Sequence, residues 1–242
     1  MEKTYFDGVS FESRGITVER VKDPIPEMRE ELEAKPNGHG SYLNSLTMSP
    51  REITLECRYF GDRWQDFDDM MDDLAAWLIT EDDRPMSLRN NPGQHYMAHF
   101  LSYEEGDREG GSGIGGFTLT FTASDPLRHG EERAHVVRSD EPQTFEVGGT
   151  DRADLTVTVM NTSGSRLTAS FSTSGSDYAI DVAMPDPSPH VVTLDCANHV
   201  CRVDGGQWGV SLDSDWPDFQ PGRWRVSVSS GTATLSWTQR YR

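Results

Sequence analysis

Residues Leu212–Val228 read LDSDWPDFQPGRWRVSV, which gathers three aspartates, two tryptophans and two prolines beside an arginine pair. Three readings compete for this stretch: a catalytic carboxylate cluster, a sugar-stacking platform, or a loop braced by its own aromatic residues. A glycosidase needs two carboxylates across a cleft, one of them with a raised pKa. Asp213 and Asp215 can share a strand face, but nothing around them in the sequence marks either as desolvated. A glycan site would set Trp216 against the hydrogen-bonding Asp213 and Asp215. In the framework reading, Pro217 and Pro221-Gly222 shape a loop, Trp216 and Phe219 pin it to a sandwich, and a strand begins at Arg223.

The surroundings of this loop favour the framework reading. LTVTVMN, RLTASFSTS, YAIDVAM, HVVTLDC, VCRVDG, RWRVSVSS and TATLSWTQRYR follow one another at roughly ten-residue spacing with turn residues between them, the signature of an antiparallel sandwich. Upstream, PLRHGEERAHVVRSDEPQTFEVGG (126–149) loses the pattern. The expected domain boundary lies there, near residue 135, giving units 1–135 and 136–242.

The first unit mixes strands with one helix. VSFESRGITVERV, REITLECRYF and GIGGFTLTFTASDP have the branched and aromatic spacing of strands. DRWQDFDDMMDDLAAWLIT is predicted to be helical, with Asp62 as N-cap and Trp64, Phe67, Met71, Leu74 and Leu78 on one face. Its aspartates lie mostly on the opposite, solvated face. Between two strands runs PIPEMREELEAKPNGHGSYLNSLTMSP (24–50), which has no sustained apolar face. A connection this long inside a compact domain is usually functional or disordered. Tyr42, Leu43, Leu46 and Met48 within it suggest that something covers it.

Composition removes several functions. The chain has 242 residues and a formal net charge of −18, which argues against nucleic acid as a primary, sequence-specific partner. No stretch has the length of apolar residues needed to span a membrane, and the start lacks the pattern of a signal peptide, so folding in a cytosol is expected. Cys57, Cys196 and Cys201 then stay reduced. Cys196 and Cys201 flank His199 across a short turn, yet no second cluster completes a zinc site. His95 and His99 alternate as in a strand, which separates their rings. Glycine-rich GGSGIGG (110–116) precedes a strand rather than a helix, so it reads as a flexible hairpin loop and not a phosphate cradle. No nucleophile elbow, Walker loop or dinucleotide fingerprint occurs. The expectation is a non-enzyme with no cofactor and no metal.

VTLDCANHVCRVDG (192–205), then SLDSDWPDFQPG (211–222), a strand and TATLSWTQRYR resemble the closing hairpin, proline–glycine loop and last strands of the siphophage distal tail proteins (Dit), within the phage tail family proteins. FDGVSF, PNGHGSYL, REITLECRYFGD, the helix and DPLRH agree in order, so the resemblance runs almost end to end. It implies a mostly β chain: a ring-forming N-terminal domain, tail-tube-like with one helix, then a C-terminal galectin-like β-sandwich. It also implies a hexameric ring at the virion tail tip, assembled in the host cytoplasm, with the stacking of two rings left open. The partners implied are the tail tube protein and the tail-associated lysin or fibre protein. An arm at 24–50 would make contacts between subunits through His39, Tyr42, Leu43, Leu46 and Met48. The alternative expectation is a carbohydrate-binding module contacting host surface glycan.

Overall fold

The computed structural model describes residues 3–36, 38–61, 64–108, 113–139, 141–162 and 164–242. The chain forms two compact units, 1–128 together with Arg242, and 129–241.

The first unit contains β1 (Tyr5–Phe6), β2 (Val9–Ser10), β3 (Ile16–Lys22), β4 (Met28–Ala34), β5 (Ser41–Met48) and β6 (Arg51–Gly61). Helix α1 (Trp64–Leu78), β7 (Arg84–Ser87), β8 (Tyr96–Arg108) and β9 (Gly113–Ala123) complete it. Seven strands form an antiparallel sheet in the order β2-β1-β7-β8-β9-β6-β3. Along β6 burial alternates, so Ile53, Leu55 and Cys57 face the core while Glu52 stays in water, the period-two pattern of a strand with one buried face. Across the register, Ile53 pairs with Phe121, Leu55 with Leu119 and Cys57 with Phe117 on β9.

Helix α1 lies over β6 and β9 and buries Phe67, Met70, Leu74 and Leu78. Met70, one position from the expected Met71, takes the deeper place, and Met71 is only partly covered. Asp69, Asp72 and Asp73 are exposed. The proposed cap Asp62 and the side chain of Trp64 lie outside the described residues. Phe67 meets Tyr59 and Phe117 edge-on, at ring-centroid distances of 6.1 and 6.2 Å. It sits so close to β9 that a Cβ on Gly115 would come within 2.5 Å of its ring. Residues 113–116 are thus strand, not the flexible loop expected from their glycine content. Glycine at 115 makes room for the helix to approach the sheet; residues 110–112 lie outside the described residues.

The second unit is a two-sheet sandwich. One sheet runs β10 (Arg128–Arg138), β19 (Thr232–Tyr241), β12 (Asp151–Thr162), β15 (His190–Asp195), β16 (Val200–Val203), β17 (Gly206–Trp208). The other runs β11 (Gln143–Val147), β18 (Gly222–Val228), β13 (Arg166–Thr173), β14 (Ser176–Ala183). Leu155, Val157 and Val159 from one sheet and Leu167, Ala169, Phe171 and Val226 from the other fill the space between them.

The stretch 126–149, in which a domain boundary is expected near 135, holds two strands, and residue 135 lies in the first of them. β10 and β11 are edge strands, and on β10 only Gly130 and Val137 are buried. An edge strand with few core contacts does not need the apolar alternation that would have revealed it.

Candidate assembly interface

β4 and β5 pair into a hairpin of their own, and among the described residues neither bonds to another strand. Every residue of β4 is exposed, and only Ser45 and Met48 of β5 are even partly covered. A lone two-stranded hairpin is marginal in water. The sequence of β4, MREELEA, makes its extended form less expected still, because every residue in it favours helix.

The register explains how the hairpin becomes two-faced. Met28 pairs with Met48, Glu30 with Leu46 and Glu31 with Ser45; the next pair is Leu32 with Leu43, leaving Asn44 as an extra residue. Opposed residues in an antiparallel pair project to the same face. Without the bulge, Leu43 and Leu46 would point to opposite faces. The bulge at Asn44 turns Leu43 to the side of Leu46, so one face carries Met28, Leu32, Leu43, Leu46 and Met48 around a single charge, Glu30. Leu32, Leu43 and Leu46 are 53, 56 and 54 % exposed.

The other face is polar. Ser45 Oγ donates to Glu31 Oε2 at 3.1 Å and Asn44 Nδ2 to Glu33 Oε2 at 3.4 Å. Lys35 Nζ lies 5.1 Å from the ring centre of Tyr42, so Tyr42, expected beside the leucines, belongs with the charged side. His39 is exposed at the turn. Reading the sequence missed Met28 and Leu32, whose alternation was hidden among glutamates.

The hairpin root is fixed by a buried charge cluster. Asp23 follows β3 and Arg51 opens β6, and their side chains are only 8 and 5 % exposed. Arg51 Nη1 donates to Asp23 Oδ1 at 2.9 Å and to the Tyr96 hydroxyl at 2.6 Å. The Tyr96 hydroxyl donates in turn to Asp23 at 2.9 Å. Burial, and then the Asp23 charge, pushes the Tyr96 phenol well above its usual range. Asn91 Nδ2 reaches Asp23 Oδ2 at 3.4 Å, and Ser49 N–H donates to Glu27 O at 2.8 Å across the two legs. The sequence signal was thin: one aspartate and one arginine flanking the long connection.

Leu212–Val228 is a framework element in this fold. The segment before β18 runs beside β14: Ser211 N–H donates to Asp181 O and Asp215 N–H to Ala179 O, both at 2.8 Å. It thereby covers the open edge of β14. Pro217 and Phe219 are buried, Phe219 packs 4.5 Å from Trp224, and Trp224 Nε1–H donates to Gln220 O at 2.9 Å.

The expected glycan trio is divided. Trp216 faces a cleft with Arg152, Asp154, His199 and Asp218, whereas Asp213 and Asp215 line another cleft with Asp177, Tyr178 and Arg225. His199 stacks on the Trp216 ring at 5.4 Å and 13°, and the indole packs on the core.

Among the described residues no group of three or more His, Cys, Asp or Glu is arranged to hold a metal. Cys57, Cys196 and Cys201 are buried thiols. Burial pushes Cys57 and Cys196 up to about 12 and Cys201 up to about 11. Across the hairpin, Cys201 faces Leu194 rather than Cys196. His99 Nδ1 meets Asp83 Oδ1 at 2.6 Å.

Comparison with known proteins agrees with this architecture. Residues 9–123 match the family described as phage tail protein RIFT-related domain, and residues 148–241 match siphovirus-type tail component, C-terminal domain. The crystal structure of Dit (gp 19.1) from phage SPP1, described as a paradigm of the hub adsorption apparatus in phages infecting Gram-positive bacteria, superposes with a TM-score of 0.81. That match has 18 % identity and covers 100 % of both chains. A chain of the phage P2 baseplate in its activated conformation gives a TM-score of 0.37 at 9 % identity, over 90 % of each chain. No curated protein sequence matches the chain. With its two units matched in order by the two tail-protein families, the chain belongs to the siphophage distal tail proteins.

Proposed function

We propose that this tail protein closes into a hexameric ring through the β4–β5 hairpin, whose apolar face lies against the next copy. The observation that carries the reading is the run of half-exposed Leu32, Leu43 and Leu46 on one side of a hairpin that has, among the described residues, no strand partner beyond itself. An arm reaching from one subunit to the next makes a head-to-tail contact, and such contacts close into rings when the rotation allows. The ring would join the tail tube to the lysin or fibre and the host-adhesion apparatus. A net charge of −18 per copy suits a passage for DNA, because an acidic wall gains nothing from counterion release and does not hold the phosphates.

A glycan-binding role through Trp216, Asp213 and Asp215 has less support, since His199 covers one face of Trp216 and the aspartates line a separate cleft. The test of the ring is sedimentation velocity on a chain lacking residues 33–48. Monomers that keep the circular dichroism of a β protein are expected. A hexamer that survives the deletion places the contact elsewhere.

A further inference from the structure

We propose a second site, independent of ring formation: a cleft at the edge of the sandwich that takes a neutral hexopyranose, built on Trp208 and the Arg166–Asp181 ion pair. Trp208 ends β17, the last strand of one sheet, and β14 is the last strand of the other. The Trp208 indole N–H donates to Ala183 O at 2.7 Å, so the ring bridges the open side of the sandwich. It is held there with 41 % of the residue exposed. Its one polar group is already used, and what it offers a ligand is carbon ring surface.

The cleft beside it has a volume of about 590 Å³ and is lined by Arg166, Asp181, Trp208 and Ser211 among others. Its polar groups are set in advance. Asp181 Oδ1 accepts from Thr168 Oγ1 at 2.5 Å, and Oδ2 accepts from Arg166 Nη2 at 2.5 Å. The Thr168 hydrogen bond foremost, then the one from Arg166, keeps the Asp181 carboxyl below its usual range. Each carboxylate oxygen can accept a further bond, and a guanidinium has five N–H donors of which this pair uses few. Arg166 is still 59 % exposed.

A pyranose ring has one face of C–H groups and a rim of hydroxyls that both donate and accept. A fixed aromatic surface beside a fixed donor–acceptor pair complements it with little ordering on binding. The overall charge of −18 disfavours anionic sugars and leaves a neutral one. Trp216, by contrast, has His199 over its ring. At the efficiency usual for small ligands, a single hexose would bind with a dissociation constant on the order of millimolar.

The experiment is saturation-transfer-difference NMR on the full chain. The probes are the methyl α-pyranosides of galactose, glucose and mannose, and N-acetylglucosamine. At least one probe is expected to bind. Its binding should be lost in Trp208→Ala, weakened at least tenfold in Arg166→Gln, and unchanged in Trp216→Ala. If Trp208→Ala unfolds the sandwich, the exposed Arg166→Gln decides. Binding by none of the four probes, or binding that survives the Arg166 substitution undiminished, overturns the proposal.

Discussion

Replacing Leu43 and Leu46 together by serine removes apolar surface from the hairpin face proposed to meet the next subunit. Full burial of a leucine is worth about 1.5–3 kcal/mol. Because Leu43 and Leu46 are 56 and 54 % exposed in the single chain, roughly half of that remains to be gained on assembly, or about 1 kcal/mol each. The pair then contributes about 2 kcal/mol at every subunit junction, a weakening of roughly 30-fold per junction. The isolated chain should barely notice, since substitutions at exposed positions usually change stability by less than about 0.5 kcal/mol. Sedimentation velocity across a concentration series, paired with thermal melting, separates the two effects. The double variant should need a much higher concentration to assemble and should melt with the parent's monomer. Thr47→Ser, on the polar face, should assemble like the parent. Unchanged assembly of the double variant, or equal loss in the Thr47 control, would refute the one-faced hairpin.

Three further outcomes follow from the geometry. Arg51→Met strands the buried Asp23 charge beside Tyr96, which costs about 3–5 kcal/mol; calorimetry should show the first unit melting roughly 10 °C or more lower with the second unit unchanged, and a shift of a degree or two would mean that water reaches the cluster. His190 is buried with Nδ1 2.6 Å from Asp204 and Nε2 3.3 Å from Asp186; the Asp204 hydrogen bond foremost raises its pKa above 6.5, so its charge stabilises the fold fully below about 6.5 and the benefit fades as pH rises through the raised value. His190→Gln should therefore lower the melting temperature of the second unit more at pH 5.5 than at pH 8.5, and the reverse order would contradict the assignment. Each copy carries a net −18, and salt screens exposed charges beyond about 10 Å at 0.1 M, so assembly should strengthen from about 10 mM to about 150 mM salt; a ring that holds best at the lowest salt would mean that ion pairs between subunits govern it.

Where burial is one-sided and continuous, the sequence was readable. The β strands of the sandwich and the α1 face declared themselves because their buried residues repeat at two- and 3.6-residue spacing. β10 did not, since the edge strand RHGEERAHVVR spends most of its side chains on water; β11 is five residues long and offers only Phe145 and Val147 as a buried pair. The loop at Leu212–Val228 was legible as a framework from Pro217 and Phe219, which are buried, and from Trp216, which packs on the core while half-buried. Its alignment beside β14 was not, because backbone bonds such as Asp215 N–H to Ala179 O leave no mark on residue type. The hairpin was half legible. Leu43 and Leu46 were visible as uncovered apolar residues, but which face they share depends on a bulge at Asn44 that no pattern rule places. Gly115 shows the opposite failure: glycines that suggested flexibility serve close packing against Phe67.

The central claim, that this distal tail protein assembles through its hairpin into a six-membered ring, is tested most directly by negative-stain electron microscopy of the purified full-length chain at about 150 mM salt, the upper end of the proposed screening range. Class averages should show six copies around a central opening, singly or as two stacked rings, and these should vanish in the chain lacking residues 33–48. Particles of one copy only in the full-length chain, or closed rings of another number, would contradict the account.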